Sequence, residues 1–133
     1  MTLIVCLDDA CGMTFNKRRQ SRDAVVTADI ITSASGRLVI SPFSAKLFTG
    51  ADVRILENPL GECESDDCCF IEMGSARGYL DRIDEIIIYK WNRLYPSDTK
   101  FDLEPAKCGF SLAATSEFVG SSHDKITKEI YKK

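Results

Sequence analysis

Arg18-Arg19-Gln20-Ser21-Arg22-Asp23 sets three guanidinium forks and one carboxylate within six residues. Guanidinium forks match phosphate oxygens bidentately, so a basic loop of this kind over a cleft would favour an anionic ligand. The same residues also read as a solvated charge run on a loop. Farther along, Gly74-Ser75-Ala76-Arg77 puts a small turn ahead of a short helix. Orphan N–H groups and the helix dipole favour an anion there, although a plain strand-to-helix turn accounts for the same residues. Trp91, Asn92 and Arg93 supply a stacking plane, an amide and a fork at a strand end, where open α/β sheets bind ligands. The competing reading makes Trp91 core and leaves Arg93 in solvent.

Other chemistry is limited by what the chain lacks. Cys63, Cys68 and Cys69 do not have a standard zinc spacing and have no histidine nearby, so no metal site is expected. Six cysteines without an export signal read as reduced thiols, which points to the cytoplasm. A formal charge of −3 argues against a general nucleic-acid binder, and no apolar run approaches the ~20 residues of a membrane span. With 44% hydrophobic and 28% charged residues over 133 positions, the chain is expected to be soluble and compact, folding as one domain over 1–133.

The elements that would position these residues follow from apolar runs and stops. Residues 3–7, 38–40, 53–56, 68–71 and 86–89 read as strands buried on both faces, and 110–118 as a sixth. Residues 8–20 read as a long loop. A helix is expected from Ser21 as N-cap, with Val25, Val26, Ile30 and Ile31 on one face and Gly36 as its stop. Short helical turns are expected at 44–48 and 75–80. Alternating short strands and helices indicate an α/β domain with a mainly parallel central sheet. The tail 126–133 fits both a helical and a strand period.

Two separated stretches carry a family resemblance. Leu3-Ile-Val-Cys-Leu-Asp-Asp, then Gly12-Met13, Asn16 and Asp23, resembles the opening of dihydrofolate reductase. Asp84-Glu85-Ile-Ile-Ile-Tyr89, Asp98, Phe101, Phe118, His123 and Ile130-Tyr-Lys-Lys133 resembles its closing strands. The resemblance implies a central, mostly parallel sheet flanked by helices and an antiparallel C-terminal strand, which settles the tail as a strand. It also implies roles. Asp23 would be the acid that supports pterin protonation, an acid whose pKa burial has raised. The alternative puts Asp23 in the first helical turn, complementing the dipole. Tyr89 falls at the family's threonine that bonds the catalytic acid, and would reach the same carboxylate. Asn16, Arg18, Arg19, Gln20 and Arg22 would form the flap, basic here where the reductases carry Leu-Pro-Trp or Met-Pro-Trp.

The cofactor motifs depart from the family. Ser41-Pro42-Phe43-Ser44-Ala45-Lys46 stands where reductases have Gly-Arg-x-Thr, leaving Ser44 and Lys46 as candidate ligand contacts. One glycine of the Gly-Gly pair is kept, as Gly74, followed by Ser75 and Arg77. A single histidine excludes the H-x-H-x-D-H metal site of ribonuclease Z, a name that small bacterial proteins similar to this one carry.

The expected function is binding of a nucleotide or phosphorylated small molecule, through Trp91, Asn92, Arg93 and the flap, with reductase chemistry lost. The alternatives are an NADPH-dependent reductase of a pterin or related heterocycle, and an interaction module whose cleft is filled by Phe43, Phe48 and Trp91. NADPH enters only under the first alternative. Arg18 and Arg19 are expected to be exposed, so that replacing them would leave stability unchanged.

Overall fold

The computed structural model describes residues 1–133. Its strands are β1 (Thr2–Leu7), β2 (Gly12–Phe15), β3 (Arg18–Arg19), β4 (Leu38–Ile40), β5 (Val53–Ile55), β6 (Cys68–Phe70), β7 (Glu85–Lys90), β8 (Thr99–Lys100), β9 (Ser111–Phe118) and β10 (Ile126–Lys132). Helix α1 spans Ala24–Ser33, and the single-turn α2 spans Pro59–Glu62. Three 3₁₀ turns cover Pro42–Phe48, Arg77–Arg82 and Pro105–Lys107.

Seven strands form one sheet in the order β5-β4-β6-β1-β7-β10-β9. The first five of these are parallel, while β10 runs antiparallel to both β7 and β9. The fold is therefore α/β with a mostly parallel sheet and an antiparallel C-terminal pair, as expected. Alternation along the strands fills both faces. Leu3, Val5, Leu7, Ile86 and Ile88 pack on one side with Ile83, Leu103 and Phe110. Ile4, Ile40, Phe70, Ile87 and Tyr89 pack on the other with Val26 and Ile30 of α1 and Phe48 of the 42–48 turn. The apolar runs are continuous because central parallel strands are covered twice.

Chain order reverses beside β1, which lies between β6 and β7. That switch point, at the carboxyl ends of β1, β6 and β7, is where an open sheet leaves a crevice.

Several local expectations need correction. The stretch 8–20 is not only loop: β2 and β3 form a hairpin, and β2 also pairs with β8 in a separate three-stranded sheet. Asn16 and Lys17 occupy its two-residue turn at φ of 52° and 60°, the twist that matches flanking strands. The N-cap of α1 is Asp23, whose carboxylate accepts from Val25 N and Val26 N, so neither Ser21 as cap nor Asp23 in the first turn is correct. Only Val26 and Ile30 are buried; Val25 and Ile31 stay 39% and 41% exposed. The helix ends at Ala34, without a glycine. Gly36 serves a close approach instead, since a Cβ there would lie 2.1 Å from Asp66 O.

Candidate active-site cleft

The crevice is stepped. A narrow inner pocket of about 30 Å³ is lined by Cys6, Ser21, Asp23, Val26, Thr27, Ile30, Phe70 and Trp91, with Arg19, Arg22 and Glu72 at its sides. It opens beside a recess of about 230 Å³ formed by Arg22, Asp23, Ala24, Thr27, Lys46 and Leu47. The inner volume admits only a few water molecules. Both spaces sit between the β2–β3 hairpin, the start of α1 and the 42–48 turn.

Asp23 is the most heavily bonded group in the cleft. Its Oδ1 accepts from Val25 N (2.9 Å), Val26 N (3.3 Å), Ser121 N (2.9 Å) and Ser121 Oγ (3.1 Å). Its Oδ2 accepts from Ser122 N (2.8 Å) and lies 2.9 Å from His123 Nδ1. A carboxylate can only accept, so Nδ1 carries the proton, and in the neutral ring Nε2 is the acceptor. Burial by itself would push this carboxyl up, but the bonds from His123, Ser121 and Ser122 outweigh it and hold Asp23 well below the usual range. This is the opposite of the raised pKa expected of a protonating acid. Gly120 lies directly against it: a Cβ there would come 2.2 Å from Oδ2.

His123 is buried and stacks on Trp91, with ring centroids 4.7 Å apart and planes 19° apart. Its Nε2 faces two hydroxyls, Tyr95 at 2.9 Å and Ser21 at 3.1 Å. The Tyr95 phenol also donates to Ser21 Oγ at 3.3 Å. Trp91 is thus both core and pocket wall.

Tyr89 does not reach Asp23. Its phenol donates to Asp29 Oδ2 at 2.6 Å, and Lys128 Nζ binds the same oxygen at 2.8 Å. Tyr89 stands on the sheet under the middle of α1, and Asp23 at the helix start is out of reach of its ring. Burial and the Asp29 charge push the phenol far above its ordinary range.

The flap residues separate into structural and free ones. Arg19 Nε donates to both Glu72 oxygens at 2.9 and 2.8 Å, one N–H reaches Phe43 O at 3.3 Å, and the guanidinium lies 5.1 Å over the Phe43 ring. Burial pushes the Glu72 carboxyl up against the pull of Arg19. Gln20 donates to Asp8 Oδ2 and Pro96 O. Asn16 is in the hairpin turn, its N–H donating to Asp98 Oδ2 at 3.0 Å. Arg18 and Arg22 are exposed, and of these Arg22 lines the cleft. The expectation that Arg18 and Arg19 are alike in stability is therefore corrected. Arg19→Ala should cost about 3 kcal/mol, because it leaves a largely buried carboxylate without its partner, whereas Arg18→Ala should stay within about 0.5 kcal/mol. Chemical denaturation of the two variants checks this.

The turn at Gly74 already holds an anion. Ser75 Oγ donates to Asp102 Oδ2, Ala76 N donates to Asp102 Oδ1 at 3.2 Å, and Arg77 donates to Asp102 O at 3.3 Å. The carboxylate of Asp102 thus takes the N–H and hydroxyl that Gly74, Ser75 and Arg77 were expected to offer a phosphate. Ser44 is buried, while Lys46 is exposed on the recess. Asn92 spends its amide on Lys125 O and Thr127 Oγ1, and Arg93 is exposed; both face a shallow hollow beside His123 outside the inner pocket. Phe43 and Phe48 do not fill the cleft: the first lies under Arg19, and the second packs edge-on against Phe70.

Reading the sequence alone missed Glu72, Asp102, Tyr95, Thr27 and Ser21 as site components. His123 carried a signal as the only histidine, without indicating what it would meet.

No family model matches the chain, and no curated protein does. Among solved structures it is similar to dihydrofolate reductase from Enterococcus faecalis complexed with NADP(H) and RAB-propyl. The likeness has a TM-score of 0.70 at 12% identity and covers 98% of this chain and 94% of that one. The chain has a divergent dihydrofolate-reductase-like fold. No helix is long and apolar enough to cross a membrane.

Proposed function

We propose that the protein binds a small phosphorylated molecule, such as a mononucleotide or sugar phosphate, in the stepped cleft, and that it does not carry out hydride transfer. The observation that carries this reading is the pairing of Arg22 and Lys46 across one recess that opens onto an apolar inner pocket. Neither cation has an ion-pair partner among the salt bridges of the fold. Two uncommitted cations 24 positions apart in sequence meet at one mouth, and an anionic group is their natural complement. Six free thiols support a reducing compartment such as the cytoplasm.

The reductase reading draws on the likeness to an enzyme complexed with NADP(H). The residues at hand fit that cofactor poorly. The groove of about 420 Å³ at the ends of β4 and β6 is lined by Glu57, Asn58, Pro42, Phe43 and Gly74, and Glu72 closes it. No cation lines it, and the adjoining Ala76 N–H and Ser75 hydroxyl are spent on Asp102. The carboxylate of the inner pocket also stays ionised, where pterin reduction needs an acid that can give up a proton. Thermal-shift measurements across phosphate esters, folates and NADPH separate the two readings, because specific binding raises the melting temperature by mass action.

A further inference from the structure

Ser21, His123 and Asp23 are joined end to end inside the cleft. Ser21 Oγ is 3.1 Å from His123 Nε2, and His123 Nδ1 is 2.9 Å from Asp23 Oδ2. We propose that these three residues form a hydroxyl–imidazole–carboxylate relay that makes Ser21 the nucleophile for acyl transfer from a small ester. The roles follow from geometry and from which atoms can donate, as in any such relay. The Asp23 carboxylate fixes the tautomer with the proton on Nδ1, so the Nε2 lone pair faces the hydroxyls of Ser21 and Tyr95. The ring cannot turn away: it is buried and stacked on Trp91. Asp23 is held in turn by the first turn of α1 and by the N–H groups of Ser121 and Ser122. It is a positioning residue, because it acts only through the imidazole.

Tyr95 completes the arrangement. Its phenol also approaches Nε2 at 2.9 Å, but it can donate to Ser21 Oγ at 3.3 Å. In that pattern the serine proton goes to Nε2, and the phenol supplies a hydrogen bond to the oxygen that becomes the nucleophile. Arg22 lines the same pocket and brings a positive charge to the oxyanion. The inner pocket of about 30 Å³ restricts the acyl part to a short chain.

The step balances within these groups and water. Ser21 Oγ attacks the ester carbonyl carbon as His123 Nε2 takes the hydroxyl proton, giving a tetrahedral oxyanion. Its collapse breaks the carbon–oxygen bond to the leaving alcohol, which receives the proton back from Nε2. Water then repeats the sequence on the acyl-serine, releasing the carboxylic acid and restoring Ser21.

The relay shares Arg22 with the anion recess but needs no charged substrate, so it is tested with a neutral probe. Folded protein is treated with an alkyl fluorophosphonate, whose phosphorus bonds to Oγ as fluoride leaves, and the adduct is located by peptide mass spectrometry. A single adduct on Ser21 is expected, absent in S21A and absent in urea. Ser121 and Ser122 serve as internal controls. H123Q should slow labelling by about 100-fold or more, the range of a general base. If H123Q does not fold, judged by circular dichroism, the comparison of native with urea-treated parent decides. No adduct on Ser21, an adduct spread over other serines, or a folded H123Q that labels at the parent rate overturns the relay. Binding of phosphate esters by S21A would stand or fall separately.

Discussion

Asp23→Ala should lower the stability of the protein by about 3–5 kcal/mol, or about 10–15 °C in melting temperature for a chain of this size. The substitution removes the helix cap, worth about 1 kcal/mol, and strands His123 Nδ1 in a buried position. Ser121 and Ser122 are exposed, so water replaces part of what their N–H groups lose. The penalty should depend on pH with a definite sign. The folded carboxyl is held below its unfolded value of about 3.9, so its contribution is complete above that value and drains away as pH falls below it. Parent and variant should therefore differ most at neutral pH and converge below about pH 4. Urea denaturation at a series of pH values reads this directly, and a constant difference down to about pH 2 would remove Asp23 from the account of acid sensitivity.

Replacing Arg22 and Lys46 together by alanine should weaken binding of a phosphate ester by about 100-fold while leaving the melting temperature of the free protein within about 2 °C. A charge-assisted contact contributes about 1.5–3 kcal/mol when well desolvated. Both side chains are exposed here, which puts each near the lower end, roughly tenfold in affinity. Exposed charges are screened within about 8 Å at physiological ionic strength, so the parent's affinity should also fall as salt rises, and the variant's should not. Arg18→Ala is the matched control: it removes an exposed arginine of strand β3 that does not line the cleft.

The architecture was legible where one strand's residues decide their own burial. Apolar runs such as Leu3-Ile4-Val5 and Ile86-Ile87-Ile88 are continuous because they are covered on both faces, and their order alone implies a parallel sheet. The antiparallel tail was not decided by periodicity, since Ile126 and Ile130 fit a helix as well; the family resemblance supplied it. The hairpin at 12–19 escaped notice because its turn is Asn16-Lys17, without the glycine that usually marks left-handed backbone. The site was the least legible part, and the reason is separation along the chain. Arg19 meets Glu72 across 53 positions, Ser75 meets Asp102 across 27, and Asp23 meets His123 across 100. Each residue announces a charge or a hydroxyl, but only the fold says whether that group is spent on a partner. Arg19 and Gly74-Ser75 read as open to a ligand and are committed internally. Arg22 and Lys46 look no different in sequence, yet they stay uncommitted and are brought to one recess.

The central claim is that the cleft takes a small phosphate ester rather than a nicotinamide dinucleotide, and calorimetric titration tests it most directly. Uridine 5′-monophosphate, uridine and NADPH are titrated into the parent protein under the same low-salt conditions. Two exposed charge-assisted contacts at roughly tenfold each correspond to affinity of about 10 mM or tighter. The account predicts heat of binding from the monophosphate in that range, none from uridine, and no micromolar site for NADPH. Micromolar or tighter binding of NADPH, with no response to the monophosphate, would contradict it.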